Sequence, residues 1–355
     1  MPIPTLPGIT AQTISTPRIT TRVLFSGSSS AIPVVFVHGN ASSATFWEEI
    51  MLGLPPEFRA IAPDQRGYGD ADKNVKIDAT RGMGDLADDL IALLDVLNIA
   101  KAHFVAHSLG GSVMWRVMMD YPDRILSVTQ VAPGSPYGFC GTKDVNGTPN
   151  YDDFAGSGGG VVNPTFAQRL GANDRTDDMN DPLAPRTVMN SRYWKPPFRP
   201  PREEDLLSSM NSEHVGGEQY PGDYVPSSNW PGTAPGVWGP INALSPKYAG
   251  DVSKLYRITP KPDVLLIWGS DDQIISDFSF SDIGTLGKLG FIPGYPGEEV
   301  VPPQPMVSQT KDVMRRYVEA GGNVSEHTIP DTGHTPYIEK PADFNALLHP
   351  FLRAH

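Results

Sequence analysis

The sequence predicts an α/β protein built on a mostly parallel sheet with helices on both faces. Two observations carry that prediction. Short β-branched or apolar runs alternate with stretches of helical periodicity, and several of the runs end directly in polar, Gly-containing loops. In such a sheet, chemistry gathers at the carboxyl ends of the strands, where those loops meet.

From Thr13 to Phe25 the alternation predicts one or two early strands, and SGSSSA after them reads as a turn. Pro33 to Val37 forms a short buried-strand pattern that ends in His38-Gly39-Asn40, and Phe58 to Ala62 runs into Pro63-Asp-Gln-Arg-Gly-Tyr-Gly69. Leu86, Leu90, Leu93, Leu94 and Leu97 then give residues 84 to 97 the spacing of an amphipathic helix. Ala102 to Ala106 is again strand-like; His107 to Gly111 turns the chain; Ser112 to Met119 continues as a helix, and Ile125 to Val131 supplies another strand. Later come a strand over Asp263 to Trp268, a helix over Val307 to Ala320, a strand over Val324 to Ile329 and a closing helix from Pro341 to Leu352.

Between these halves the character of the chain changes. DDFAGSGGGVVNPT, KPPFRPPREED and NWPGTAPGVWGP are crowded with Gly, Pro, Asn and aromatic residues, and their rings must bury area somewhere. The reading is a core over residues 1–134 and 262–355, an inserted cap or lid over 135–261, and a second Gly/Pro-rich insertion at about 278–305.

Composition narrows the function classes. Hydrophobic residues make up 39% and charged residues 19% of 355, as in proteins that bury a sizeable core. With 40 acidic against 28 basic side chains the net charge of -12 repels phosphate backbones and anionic headgroups, so neither nucleic acid nor a membrane surface is an expected partner. A homo-oligomer is compatible with the sequence. The lone Cys140 cannot form an intramolecular disulfide, and neither a signal-peptide pattern nor a long apolar stretch is read, so a cytoplasmic location is expected.

A serine hydroxyl is a weak nucleophile at neutral pH and needs a base, an acid that orients the base, and donors for the developing oxyanion. Ser108 lies in Ala106-His-Ser-Leu-Gly110 between a predicted strand and a predicted helix, the setting of a nucleophile elbow. That turn requires small residues two positions away on each side; Ala106 stands where a glycine is usual. The backbone N–H groups of Asn40 and Leu109 are the expected oxyanion donors, each removal of such a donor costing about 3 to 4 kcal/mol in the transition state. His38 reads as a structural residue that hydrogen-bonds its loop. Asp272 follows an apolar strand and His334 the last one, giving the order Ser, Asp, His. Asp271 and Asp277 compete with Asp272 for the acid's role. Trp47, His107, Tyr137 and Trp194 are candidates for substrate contact.

Together His38-Gly39-Asn40, Asp64 to Gly69, Ala106 to Gly111, Gly269 to Asp272 and Gly333-His334-Thr-Pro-Tyr-Ile-Glu339 resemble the α/β-hydrolase superfamily. The resemblance covers the core. It implies an eight-stranded sheet with the cap inserted after the sixth strand, and a cofactor-free mechanism through an acyl-enzyme, so the expected partner is a small-molecule ester or lactone.

Rival chemistries are weighed on the same residues. His38 through Ser42-Ser43 to Trp47 is similar to the oxyanion loop of haloalkane dehalogenases, but those enzymes and epoxide hydrolases of this fold need an aspartate where Ser108 stands. Asp64-Gln-Arg-Gly67 is similar to proline iminopeptidases, whose Gly-Gly-Pro-Gly loop is missing. Carbon–carbon bond hydrolases and thioesterases would use the same triad, and a receptor-like binding module with a slow triad is the alternative outside enzymology. His103 and His107 do not make a metal site: four residues apart on a strand their rings stand roughly 13 Å apart at about 3.3 Å per residue. Cys140 has no elbow around it.

Overall fold

The computed structural model describes residues 3–355. Eight strands form one sheet: β1 (Thr10–Ser15), β2 (Thr20–Ser26), β3 (Ile32–Val37), β4 (Phe58–Pro63), β5 (Ala102–His107), β6 (Ile125–Val131), β7 (Asp263–Gly269) and β8 (Val324–Ile329), in the order β1-β2-β4-β3-β5-β6-β7-β8. β2 pairs antiparallel with β1 and β4, and every other pairing is parallel. The two early strands are thus a hairpin on the sheet's edge, and β5 lies in the middle with all six residues buried.

The pleat sends successive side chains to opposite faces, and each face is covered. Val35, Val37, Phe104 and Leu266 join one buried cluster with α2 (Gly84–Val96) and α3 (Leu109–Asp120), for which Leu86, Leu90, Val113 and Val117 supply the inner stripes. Val34, Phe36, Val105 and Leu265 join a second cluster with α1 (Glu48–Gly53) and α7 (Pro341–Arg353), through Ile50, Phe344 and Leu348. α3 begins earlier than its periodicity predicts: it starts at Leu109, directly after Ser108, because the elbow turns without any intervening loop.

The long segment between β6 and β7 contains α4 (Pro164–Gly171), a π-helical turn (Met189–Tyr193), α5 (Glu203–Met210) and two small two-stranded ribbons. Its Leu170, Met189, Tyr193, Met210, Tyr220 and Ile241 join the same cluster as α2 and α3, so the insert packs onto the sheet's layers instead of forming a core of its own. Residues 278–305 lean on this insert. Trp230 sits edge-on to Tyr295 at 5.6 Å and its Nε1 donates to the carbonyl of Pro293. Beyond them α6 (Met306–Glu319) covers the sheet through Val313, Met314 and Tyr317.

Candidate active site

Strand β5 ends at His107, and Ser108 adopts φ +56° and ψ −118° before α3 begins. A left-handed serine is strained by about 1 to 3 kcal/mol and persists only where surroundings over-determine it. They do so here: the Ser108 N–H donates to Val131 O at 3.0 Å, and its carbonyl accepts from the N–H groups of Gly111, Ser112 and Gly134. Close packing explains the small residues beside it. A Cβ on Gly110 would lie 2.5 Å from Val37 O and 2.6 Å from His38 O, whereas the methyl of Ala106 is accommodated in the buried strand.

His334 follows β8 in a loop whose Nδ1 lies 2.8 Å from Asp272 Oδ2, and both side chains are 3% exposed. The other oxygen of Asp272 accepts from the N–H groups of Ile274 at 2.7 Å and Ile275 at 3.0 Å, which hold the carboxylate against the imidazole. The competing carboxylates point elsewhere. Asp271 pairs with Lys195 at 2.9 Å, and Asp277 accepts from Val307 and Ser308 at the start of α6.

The His334 loop is itself clamped. Glu339 accepts from Gly333 N and Lys195 N, joining the loop to the insert, and burial raises its pKa to about 7. His107 donates from Nε2 to the carbonyl of His334 at 2.9 Å; burial, then the neighbouring imidazole, pushes its pKa well down and keeps it neutral. Among the described residues the Ser108 hydroxyl makes no hydrogen bond, and contacts of this kind are often long before substrate binds.

Asn40 and Leu109 line the same cavity as Ser108, and among the described residues the backbone N–H of neither donates to a protein acceptor. Leu109 is the first residue of α3, where N–H groups have no intrahelical partner. The Asn40 loop is held from several sides. His38 accepts from Gln65 N at Nε2 and donates from Nδ1 to Gly39 O; its burial lowers the pKa to about 4, so it stays neutral. Tyr68 OH donates to Asn40 Oδ1 at 2.9 Å, and Tyr193 OH, from the insert, donates to Ala41 O at 2.9 Å.

Ser108, His334, Asn40 and Leu109 open onto a cavity of about 220 Å³ whose far wall comes from the insert: Val161, Val162, Phe166, Val188, Arg192, Tyr193, Met210, Tyr220 and Ile241. Of the four residues expected against substrate, His107 lines it and three do not. Trp47 is fully buried, stacked on Tyr337 at 4.1 Å, because it faces the second core cluster. Trp194 is turned inward, its Nε1 donating to Asn190 Oδ1. Tyr137 packs beneath Gly147, away from the cavity. Arg192 and Tyr220, in a segment without periodicity, escaped the sequence reading; Tyr193 is legible there only as one of the insert's rings that must bury area, and Glu339 only as part of the motif from Gly333 to Glu339.

The two histidines on β5 serve different partners: His103 Nδ1 bonds Ser127 Oγ at 2.8 Å, while His107 faces the cavity. Among the described residues no group of three or more His, Cys, Asp or Glu is placed to hold a metal ion. Cys140 is buried, and desolvation raises its thiol pKa well above the ordinary value. No helix among the described residues is long and apolar enough to cross a membrane.

This sheet order, with a serine elbow after β5 and an Asp–His pair after β7 and β8, defines an α/β hydrolase architecture. The Alpha/beta hydrolase family model matches residues 34–347, and the chain belongs to that family. Among curated relatives, a putative carbamate hydrolase RutD from Pantoea ananatis is 34% identical over 110 residues, covering 31% of this chain and 39% of that protein. Epoxide hydrolase A from Mycobacterium tuberculosis is 30% identical over 124 residues, 35% of this chain and 38% of that one. The chain thus matches less than half the length of these relatives. Among solved structures, a putative aryl esterase from Burkholderia cenocepacia superposes with a TM-score of 0.59 at 18% identity, covering 97% of this chain and 98% of that one. A 2-hydroxy-6-oxo-6-phenylhexa-2,4-dienoate hydrolase from Rhodococcus superposes with 0.58 at 16% identity, over 97% and 99%.

Proposed function

We propose that the protein is a serine hydrolase that cleaves a carboxylic ester or lactone through an acyl-enzyme. The carrying observation is the buried Asp272–His334 pair at 2.8 Å, whose His334 lines the cavity that the strained Ser108 also borders. In this reading Ser108 Oγ attacks the carbonyl while His334 Nε2 takes its proton, and Asp272 fixes the Nδ1–H tautomer and stabilises the imidazolium. The Asn40 and Leu109 N–H groups receive the oxyanion, and His334 then protonates the departing alkoxide. Water repeats the sequence on the acyl-enzyme.

The segment over 135–261 acts as a cap that supplies the apolar walls, with residues 278–305 bracing it. A serine at the elbow favours acyl transfer over the carboxylate-nucleophile chemistry that opens epoxides. The hydrolase names among relatives support the reaction type without choosing the bond. The test is a panel of p-nitrophenyl esters, thioesters and lactones, following burst and steady-state release for the wild type and Ser108→Ala. Multiple turnover that vanishes in Ser108→Ala is the expected result, and acyl length then maps the cavity. Full activity in the variant overturns the assignment, and a single-turnover burst in the wild type points to a ligand-binding module.

A further inference from the structure

The cavity beside Ser108 is lined by apolar side chains, neutral polar groups and one permanently charged residue, Arg192, with no carboxylate on its wall. Arg192 lies in the π-helical turn of the insert, one residue before its end at Tyr193. Its Nη1 is fully buried and lacks a hydrogen-bond partner, and among the described residues no carboxylate reaches the guanidinium. The ring of Phe280 lies under the guanidinium, 5.3 Å away. Arg192 as a whole is half-buried, and other buried or half-buried arginines each meet a carboxylate: Arg22 meets Asp64 at 2.9 Å, Arg66 meets Asp89 at 2.7 Å, Arg186 meets Glu203 at 2.7 Å, and Arg202 meets Glu48 at 3.1 Å.

An unpaired guanidinium in such a wall is unfavourable, because it gives up hydration without a compensating anion. Burial accordingly lowers its pKa, the reverse of the paired arginines. A ligand carboxylate would remove the penalty, since its two oxygens match the planar fork of donors. We propose that Arg192 binds a free carboxylate carried by the substrate away from the scissile bond, so that the preferred substrates are half-esters or carboxylate-bearing lactones. Residues such as Val188, Ile274 and Ile275 would hold the apolar chain between the two ends. The proposal rests on Ser108 being the nucleophile and deepens that reading by naming the substrate class.

The experiment compares p-nitrophenyl pentanoate with mono-p-nitrophenyl glutarate, acyl chains of equal length that differ by a terminal carboxylate. The readout is the ratio of their kcat/KM values in the wild type, Arg192→Met and Arg192→Lys, with thermal melts confirming folding. The wild type is expected to favour the glutarate, and Arg192→Met to lower that ratio about 30-fold, the scale of a hydrogen-bonded charge pair. Arg192→Lys should keep part of the preference, as a point charge without the fork. Equal losses on both esters, or no preference in the wild type, overturn the proposal. Calorimetry with free glutarate separates this failure from that of the serine reading. If Ser108→Ala still hydrolyses either ester, the nucleophile is wrong; if glutarate binds Ser108→Ala and Ser108→Ala/Arg192→Met equally, the carboxylate site is wrong.

Discussion

The two walls of the cavity are built on different terms. The wall made by loops at the sheet's carboxyl edge carries polar groups that support one another: Asp272 holds His334, His107 fastens the His334 carbonyl, and His38 and Gln65 brace the Asn40 loop. The wall made by the insert is mainly aliphatic and aromatic, yet it holds polar groups left without partners. Arg192 Nη1 is one, and elsewhere in the insert, off the cavity, both carboxyl oxygens of the buried Glu213 also lack a partner among the described residues. A pre-organised polar wall keeps reacting groups in place, whereas unpaired groups on the facing wall are paid for by stability and retained for binding or specificity. Under the proposed function, chemistry and selectivity are thereby divided between the sheet and the insert.

The largest test of that division is Ser108→Ala, which should lower kcat by at least about 10⁴-fold with an unchanged melting temperature. Steady-state assays on a turned-over ester measure it, and a small loss would move the chemistry away from the sheet's edge. Next, Asp272→Asn should reduce kcat by about 10⁴-fold through loss of the correct His334 tautomer, while Asp271→Asn, which breaks only a half-exposed pair with Lys195, stays within a few fold. A larger effect at Asp271 would reverse the assignment of the acid.

Tyr193 sharpens the comparison because it is an insert residue that reaches the sheet's loop. Tyr193→Phe should lower kcat about tenfold while changing KM little, since the Asn40 loop loses the donor to Ala41 O. A change confined to KM would make Tyr193 part of the binding wall alone.

The smallest effect concerns pH. Burial raises the pKa of Glu213 well above the ordinary 4.5 of a glutamate and that of Glu339 to about 7. Between 4.5 and those raised values the folded protein holds protons that the unfolded chain has released, so stability falls as pH rises through this window. Glu213→Gln removes one contribution and should flatten the fall between pH 5 and pH 8 in urea titrations. Parallel curves for the variant and wild type would show that Glu213 ionises freely in the folded state.

Much of the sheet-side wall was legible in the residues. The apolar run over Ile125 to Val131 coincides with its strand, and the spacing of Leu86, Leu90, Leu93 and Leu94 sets the buried stripe of α2, because periodicity reports directly which side of an element faces the core. The small residues around Ser108 likewise carry a local steric requirement that any reader of the chain can see. The insert offered no such signal. Its aromatic residues announced burial but not direction, so Tyr137 and Trp194 were expected at the substrate and instead lie off the cavity, while Arg192 and Tyr220 line it.

What the sequence by itself determined is therefore the strand and helix order, the elbow and the chain order of serine, aspartate and histidine, all of which follow from local periodicity and local sterics. Only the tertiary structure decided which of Asp271, Asp272 and Asp277 meets His334, a contact spanning 62 residues, and which side chains of the insert reach the cavity. Those choices depend on the direction of single Cα–Cβ bonds after distant segments have packed, and no pattern within either segment encodes it.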